Sequence, residues 1–175
     1  MDLAATLADT LAAAGFLAAG EEAALLTDAA AGDADRLAAL LARRLAGEPV
    51  EHVVGWTEFC GLRLVVGPGT FVPRQKTEGL ARRAADLLAA ADDPVAVDLC
   101  SGVGAIACVM AAHVPHARVV ASELDDAPRA CLRVNAAPYG IEVVAGDLDE
   151  HVPPELRGRV AVLTANAPYV PTGSI

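Results

Sequence analysis

At 175 residues the chain is long enough for one domain, or for a small domain with part of a second. It is 54% hydrophobic but only 3% aromatic, so Ala, Val and Leu must fill the core. The formal net charge of −10 opposes nonspecific nucleic-acid binding, which gains affinity by neutralising phosphates, and no apolar run of about 18 residues exists to cross a membrane. Residues 1 to 46 predict helices. Leu3, Leu7 and Leu11 recur every four positions, and the stretch 21 to 31 opens with two acids, which suit a helix N-terminus. Asp33 caps a third helix whose inward face holds Leu37, Leu40, Leu41 and Leu45, and Gly47 and Pro49 stop it. A small bundle is the simplest packing. From 51 to 72 the period changes. Val53, Val54 and Phe59 precede Gly61, and Leu62, Leu64 and Val66 then mark a short hairpin. Gly67-Pro68-Gly69 breaks the chain, and a connector over 71 to 78 leads into a helix over 77 to 91 with Leu80, Ala84, Leu87 and Leu88 inward.

The remainder alternates. Strands are predicted at 95–99, 118–122, 141–145 and 160–165, with helices at 104–112 and 126–136, the pattern of a parallel α/β sheet. The domains expected are a helical region over 1–48, a hairpin and connector over 49–76, and the sheet over 77–175. Arg43-Arg44 and Arg82-Arg83 are the paired bases, and both read as solvated helix faces. Lys76 is the single lysine. Cys60, Cys100, Cys108 and Cys131 form no C-x-x-C pair and have no His at ligand spacing, so neither a metal site nor a disulfide framework is expected. Asp2 and Asp9 stand where a secretory signal would carry a basic start. Reduced thiols and a cytoplasmic location are the expectation.

Four places at the ends of predicted strands carry chemistry. Asp98-Leu99-Cys100-Ser101-Gly102-Val103-Gly104 turns the first strand into a helix, and its glycines allow close ligand approach. Glu123 ends the second strand, where an acid can accept hydrogen bonds from two ribose hydroxyls. Asp147 follows the third strand. Asn166-Ala167-Pro168-Tyr169 follows the fourth. There the Asn offers a side-chain carbonyl to a planar N–H group, Pro168 restricts Ala167, and Tyr169 supplies a stacking ring. Open α/β sheets bind ligands at this end of the strands. A dinucleotide enzyme is the competing reading, with Ala107 at the third position of its glycine pattern, but it has no role for Asn-x-Pro-Tyr.

These motifs resemble the protein-(glutamine-N5) methyltransferases that modify peptide-chain release factors. The likeness extends over most of the chain. It takes in the helical start, Gly47-Glu48-Pro49-Val50, Glu58-Phe59-Cys60-Gly61-Leu62 and the connector Pro73-Arg74-Gln75-Lys76-Thr77-Glu78. It also takes in the Asp98 turn, Glu123, Gly146-Asp147-Leu148 and Asn166 to Tyr169. The resemblance implies a Rossmann-like methyltransferase sheet using S-adenosylmethionine, preceded by a helical bundle and a β-hairpin. It implies that Cys100, Ser101, Gly102, Val103 and Gly104 line the methionine part, that Glu123 holds the ribose, and that Asp147 and Leu148 lie by the adenine. Asn166 and the Ala167 carbonyl would accept the two N–H groups of a glutamine amide, with Tyr169 packed nearby. The expected partner is a protein, a release factor, with neither membrane nor nonspecific nucleic acid.

The sequence departs from the family pattern at Ala167, at Cys100 and at Gln75-Lys76. The resemblance also implies seven strands in the order 3-2-1-4-5-7-6, of which four are in view. A C-terminally truncated member is therefore expected, with its fourth strand an exposed apolar edge and little activity on its own. The other readings are an amino-group methyltransferase acting on nucleic acid and a non-catalytic remnant.

Overall fold

The computed structural model describes residues 3–167. The chain divides into two compact units, one ending at Trp56 and one beginning at Thr57.

The first unit holds helices α1 (Leu3–Ala13), α2 (Ala19–Ala30), α3 (Ala34–Leu45) and α4 (Val50–Val54). Leu7, Leu11, Leu26, Leu37 and Leu40 are buried together, so the spacing of four in α1 does mark a core face. Asp33 caps α3 by accepting the Arg36 N–H at 3.0 Å. Leu45 is exposed, because it falls past the last turn that packs inward. Of the Arg43-Arg44 pair, Arg43 is exposed as expected, whereas Arg44 is largely covered. Arg44 donates to both Glu22 oxygens at 2.6 and 2.9 Å and lies over the Phe16 ring. Arg43 pairs with Glu48 and reaches the carbonyls of His52 and Val53. Val53 and Val54, expected in a strand, are helical. Pro49 opens α4 and Gly55 closes it in the left-handed region at φ 87°. Val50, Val53 and Val54 then share one face at helical spacing and pack on the bundle core.

A hairpin of β1 (Trp56–Phe59) and β2 (Leu62–Val65) follows, all of it but Trp56 in the second unit. Helix α5 (Glu78–Ala89) follows the connector, and then strands and helices alternate: β3 (Val95–Leu99), α6 (Ala105–His113), β4 (Arg118–Glu123), α7 (Asp126–Ala136), β5 (Glu142–Ala145) and β6 (Val162–Ala165). The sheet is parallel in the order β5-β4-β3-β6. This is the 3-2-1-4 order of a partial Rossmann-like sheet, and β3 is buried along its whole length. Among the described residues β6 is an edge strand, and its Leu163 is 59% exposed.

Two sequence readings shift here. In α5 the inward face is Ala81, Ala84, Ala85 and Leu88, while Leu80 and Leu87 are exposed. The small face lets α5 approach α6, so alanine outweighs leucine in choosing the side to bury. Asn135 on α7 is a buried clamp with no periodic signal. Its amide accepts the Val65 N–H at 2.7 Å and donates to the Val65 and Val103 carbonyls at 3.0 and 2.9 Å. One side chain thus fastens β2 to the turn after β3. Among the described residues no helix is long and apolar enough to cross a membrane.

Candidate functional site

The carboxyl ends of β3, β4, β5 and β6 converge on a cleft of about 550 Å³. Each strand delivers its residue for a local reason. Asp98, near the end of β3, is 1% exposed. Its two oxygens accept the Ser101 hydroxyl at 2.5 Å and the Thr164 hydroxyl at 2.6 Å. Burial pushes its carboxyl up to about 6, the two hydroxyls and the Ala107 N–H pull it down, and the charge of Glu123 adds to the rise. Asp98 therefore joins the turn after β3 to β6.

The turn itself needs left-handed backbone at Cys100 (φ 51°), Gly102 (φ 59°) and Gly104 (φ 88°). The two glycines serve different ends. A Cβ on Gly102 would meet nothing within 4 Å and would project into open space, and Gly102 lines the cleft. A Cβ on Gly104 would strike Leu132 Cδ1 at 2.4 Å, so Gly104 admits α7 against the turn. Gly104 is the one described residue of the expected site that does not line the cleft. Cys100 holds its strained backbone without glycine's freedom. Its thiol is pushed up by burial, then by the carboxylates of Glu123, Asp147 and Asp98, and so stays protonated at neutral pH.

Glu123 closes the far side of the turn. Its carboxylate accepts the Gly102 N–H at 2.7 Å and the Asp125 N–H at 3.0 Å, one on each oxygen. Each oxygen keeps a second lone pair for a ligand hydroxyl. Arg129 donates to the Glu123 and Leu124 carbonyls at 3.1 and 2.6 Å and fixes the backbone that presents them. The Ser122 hydroxyl donates to the Leu148 carbonyl at 2.6 Å and ties the end of β4 to the loop bearing Asp147.

Asp98, Cys100, Ser101, Gly102, Val103, Glu123, Asp147, Leu148, Asn166 and Ala167 all line this one cleft. Pro168 and Tyr169 lie outside the described residues. A second wall was not foreseen as part of the site. It comes from the hairpin and connector through Phe59, Phe71, Pro73, Arg74, Lys76 and Thr77. The usable signal was the length of the connector after Pro68, which turns at Gly67–Thr70 and reaches α5 through a 3-10 turn over Gln75–Thr77. The cleft is electrically divided. Its four acids, Asp98, Glu123, Asp125 and Asp147, come from the ends of β3, β4 and β5 or the segments after them, and its two bases, Arg74 and Lys76, come from the connector.

No family model matches the chain. Individual relatives do. Release factor glutamine methyltransferase of Mycolicibacterium smegmatis is 44% identical over 147 residues, 81% of this chain and 52% of its own length. The same-named protein of Streptomyces coelicolor is 41% identical over 134 residues, 75% of this chain and 47% of its own. The chain is a relative of the release factor glutamine methyltransferases. It is as similar to the 4-amino-L-phenylalanine/4-methylamino-L-phenylalanine methyltransferase of Streptomyces pristinaespiralis, at 42% over 136 residues, 75% of this chain and 46% of that protein. The chain spans about half the length of the curated relatives it matches.

Proposed function

We propose that the chain forms the donor site and the Asn166 end of the acceptor site of a cytoplasmic S-adenosylmethionine-dependent methyltransferase. Its acceptor is the side-chain amide nitrogen of a glutamine in a protein, a peptide-chain release factor. The observation that carries this reading is the placing of Glu123, Gly102 and Asn166 around one cleft.

The residues fit the donor. Four carboxylates against two bases suit a ligand bearing cationic groups, whereas the pyrophosphate of a dinucleotide would meet those same acids at close range. The open space at Gly102 is room that any side chain would take away. Glu123 is placed to hold ribose hydroxyls, Asp147 and Leu148 to lie by the adenine, and the turn 100–104 to approach the methionine part. When bound, S-adenosylmethionine supplies an electrophilic methyl group on a sulfonium centre. Asn166, through its side-chain carbonyl, and Ala167, through its backbone carbonyl, accept the two N–H groups and fix the amide plane. Holding an amide nitrogen in line supplies a large part of the rate gain, because its lone pair is otherwise delocalised. The same two carbonyls stabilise the positive charge that grows on nitrogen. No side chain need take a proton before transfer.

The test is methyl transfer from labelled donor to a purified release factor, with calorimetric titration of the donor alongside. Glu123→Gln should weaken donor binding, and Asn166→Ala should remove transfer while leaving donor binding in place. Donor binding that ignores Glu123→Gln would overturn the reading. A second acceptor class has a specific observation behind it. A relative of equal similarity is named for a 4-amino-L-phenylalanine substrate, and Phe59 and Phe71 line the cleft. Label on that amino acid and none on the release factor would decide for an aromatic amine. An RNA or DNA acceptor is disfavoured by the charge of −10.

A further inference from the structure

Resting on the reading of the cleft as a methyl-donor site, we propose that Asn135 is a positioning residue for the donor. It stands behind the cleft, 6% exposed, and is not one of the described residues that line it. It acts on the ligand through the turn 100–104 and Glu123, and it couples that turn to the hairpin.

The turn is tied down by its backbone polar groups. The Ser101 N–H donates to the Ser122 carbonyl at 3.0 Å and the Gly102 N–H to Glu123 at 2.7 Å, both toward β4. The Ala107 N–H, which a regular helix would aim at the Val103 carbonyl, donates instead to the buried Asp98 carboxylate. The Val103 carbonyl is met by Asn135 Nδ2 at 2.9 Å. Gly102 and Val103 are adjacent, so these anchors bracket a residue with wide backbone freedom, Gly102 at φ 59°. With the Val103 carbonyl released, Gly102 can swing its N–H away from Glu123. The carboxylate placed to hold ribose then loses one of the two N–H groups that aim it.

The same amide reaches the other way. Its oxygen accepts the Val65 N–H at 2.7 Å and its Nδ2 donates to the Val65 carbonyl at 3.0 Å, as a neighbouring strand would. Val65 ends β2, and the chain past it turns at Gly67–Thr70 and supplies Gly69, Phe71 and Pro73 to the cleft. Gly69 rests on the same helix, where an added Cβ would come within 3.3 Å of Ala127 Cβ. Helix α7 thus carries both the wall that follows β2 and the anchor of the donor turn. A neutral amide suits the place, because it offers two donors and an acceptor without adding a charge behind the acids of the cleft.

The experiment measures S-adenosylhomocysteine binding to the full chain by calorimetry. Asn135→Ser is neutral and too short to reach both Val65 and Val103. It should weaken binding about 10-fold, the worth of one hydrogen bond held in place. Added to Glu123→Gln it should cost less than about threefold more, because it acts through that carboxylate. In the wild type the coupling must run in reverse as well. Saturating ligand should slow hydrogen exchange of the Val65 amide at least about fivefold relative to that of Arg118, whose N–H bonds the Pro94 carbonyl at the far end of the sheet. Unchanged affinity in Asn135→Ser, a further loss of about threefold or more on top of Glu123→Gln, or a Val65 amide whose relative exchange ignores the ligand overturns the proposal. Where Asn135→Ser fails to fold, the exchange result decides alone. A wild type that binds no S-adenosylhomocysteine overturns the donor reading itself, so the two failures are separate.

Discussion

Replacing Asp98 by Asn should make the protein more stable at neutral pH and less able to hold a cationic ligand. The carboxyl of Asp98 titrates near 3.8 when unfolded and is pushed up to about 6 by burial in the fold. A folded value above the unfolded one means the native state binds the proton more tightly. That contribution is fully present below 3.8 and is lost as pH rises through about 6. The gap corresponds to about 3 kcal/mol of native-state cost for the ionised form at pH 8. About 1.4 kcal/mol of it develops between pH 5 and pH 8. Asn keeps the shape and removes the charge. Its carbonyl can accept from one of the Ser101 and Thr164 hydroxyls, and the other hydroxyl can rotate to accept from its amide. The measurement is denaturant unfolding of wild type and Asp98→Asn in dilute protein from pH 5 to pH 8. The stability difference between them, mutant minus wild type, should rise by about 1 kcal/mol or more across that range. A difference that is flat, or that falls with pH, would refute the argument that burial dominates at Asp98. Calorimetry should show S-adenosylmethionine binding weakened in the mutant, since a carboxylate lining the donor half has been neutralised.

Gly102→Ala should weaken donor binding at least about 10-fold while costing about 1 kcal/mol of stability, because the new methyl enters the cleft at φ 59° and meets no protein atom; calorimetry and denaturant unfolding separate the two effects. Gly104→Ala should do the reverse, destabilising by about 1–3 kcal/mol through the clash with Leu132. Leu132→Ala in the same chain should recover part of the added loss in a thermal melt. At pH 8 iodoacetamide should alkylate Cys100 more slowly than free cysteine, as followed by peptide mass mapping, because burial and three nearby carboxylates hold the thiol protonated.

The sheet and its ligand end were legible in the sequence, because short apolar runs alternate with helical stretches, and an acid or Asn stands at or just past the carboxyl end of each run. Asp98, Glu123, Asp147 and Asn166 were found in that way and line one cleft. The errors arose where one residue pattern serves two physical needs. Val53 and Val54 have strand propensity, yet Pro49 and Gly55 bound a helix of five residues, and the bundle core favours the helical face. In α5 the leucines suggested one face and the alanines took it, because close helix contact favours small residues. Gly102 and Gly104 look alike in a glycine-rich turn, but one leaves room for a ligand and the other leaves room for α7. Nothing local distinguishes them, since what a missing Cβ would meet is decided by Leu132, 28 positions further on. Asn135 is hidden for the same reason, its partners lying 32 and 70 residues away. The connector wall belongs to this class too: Arg74 and Lys76 become part of a site only when the chain returns over the strand ends. Residues that the sequence placed at the cleft are those whose position follows from a strand end, and residues it missed are those brought there or held by a distant segment.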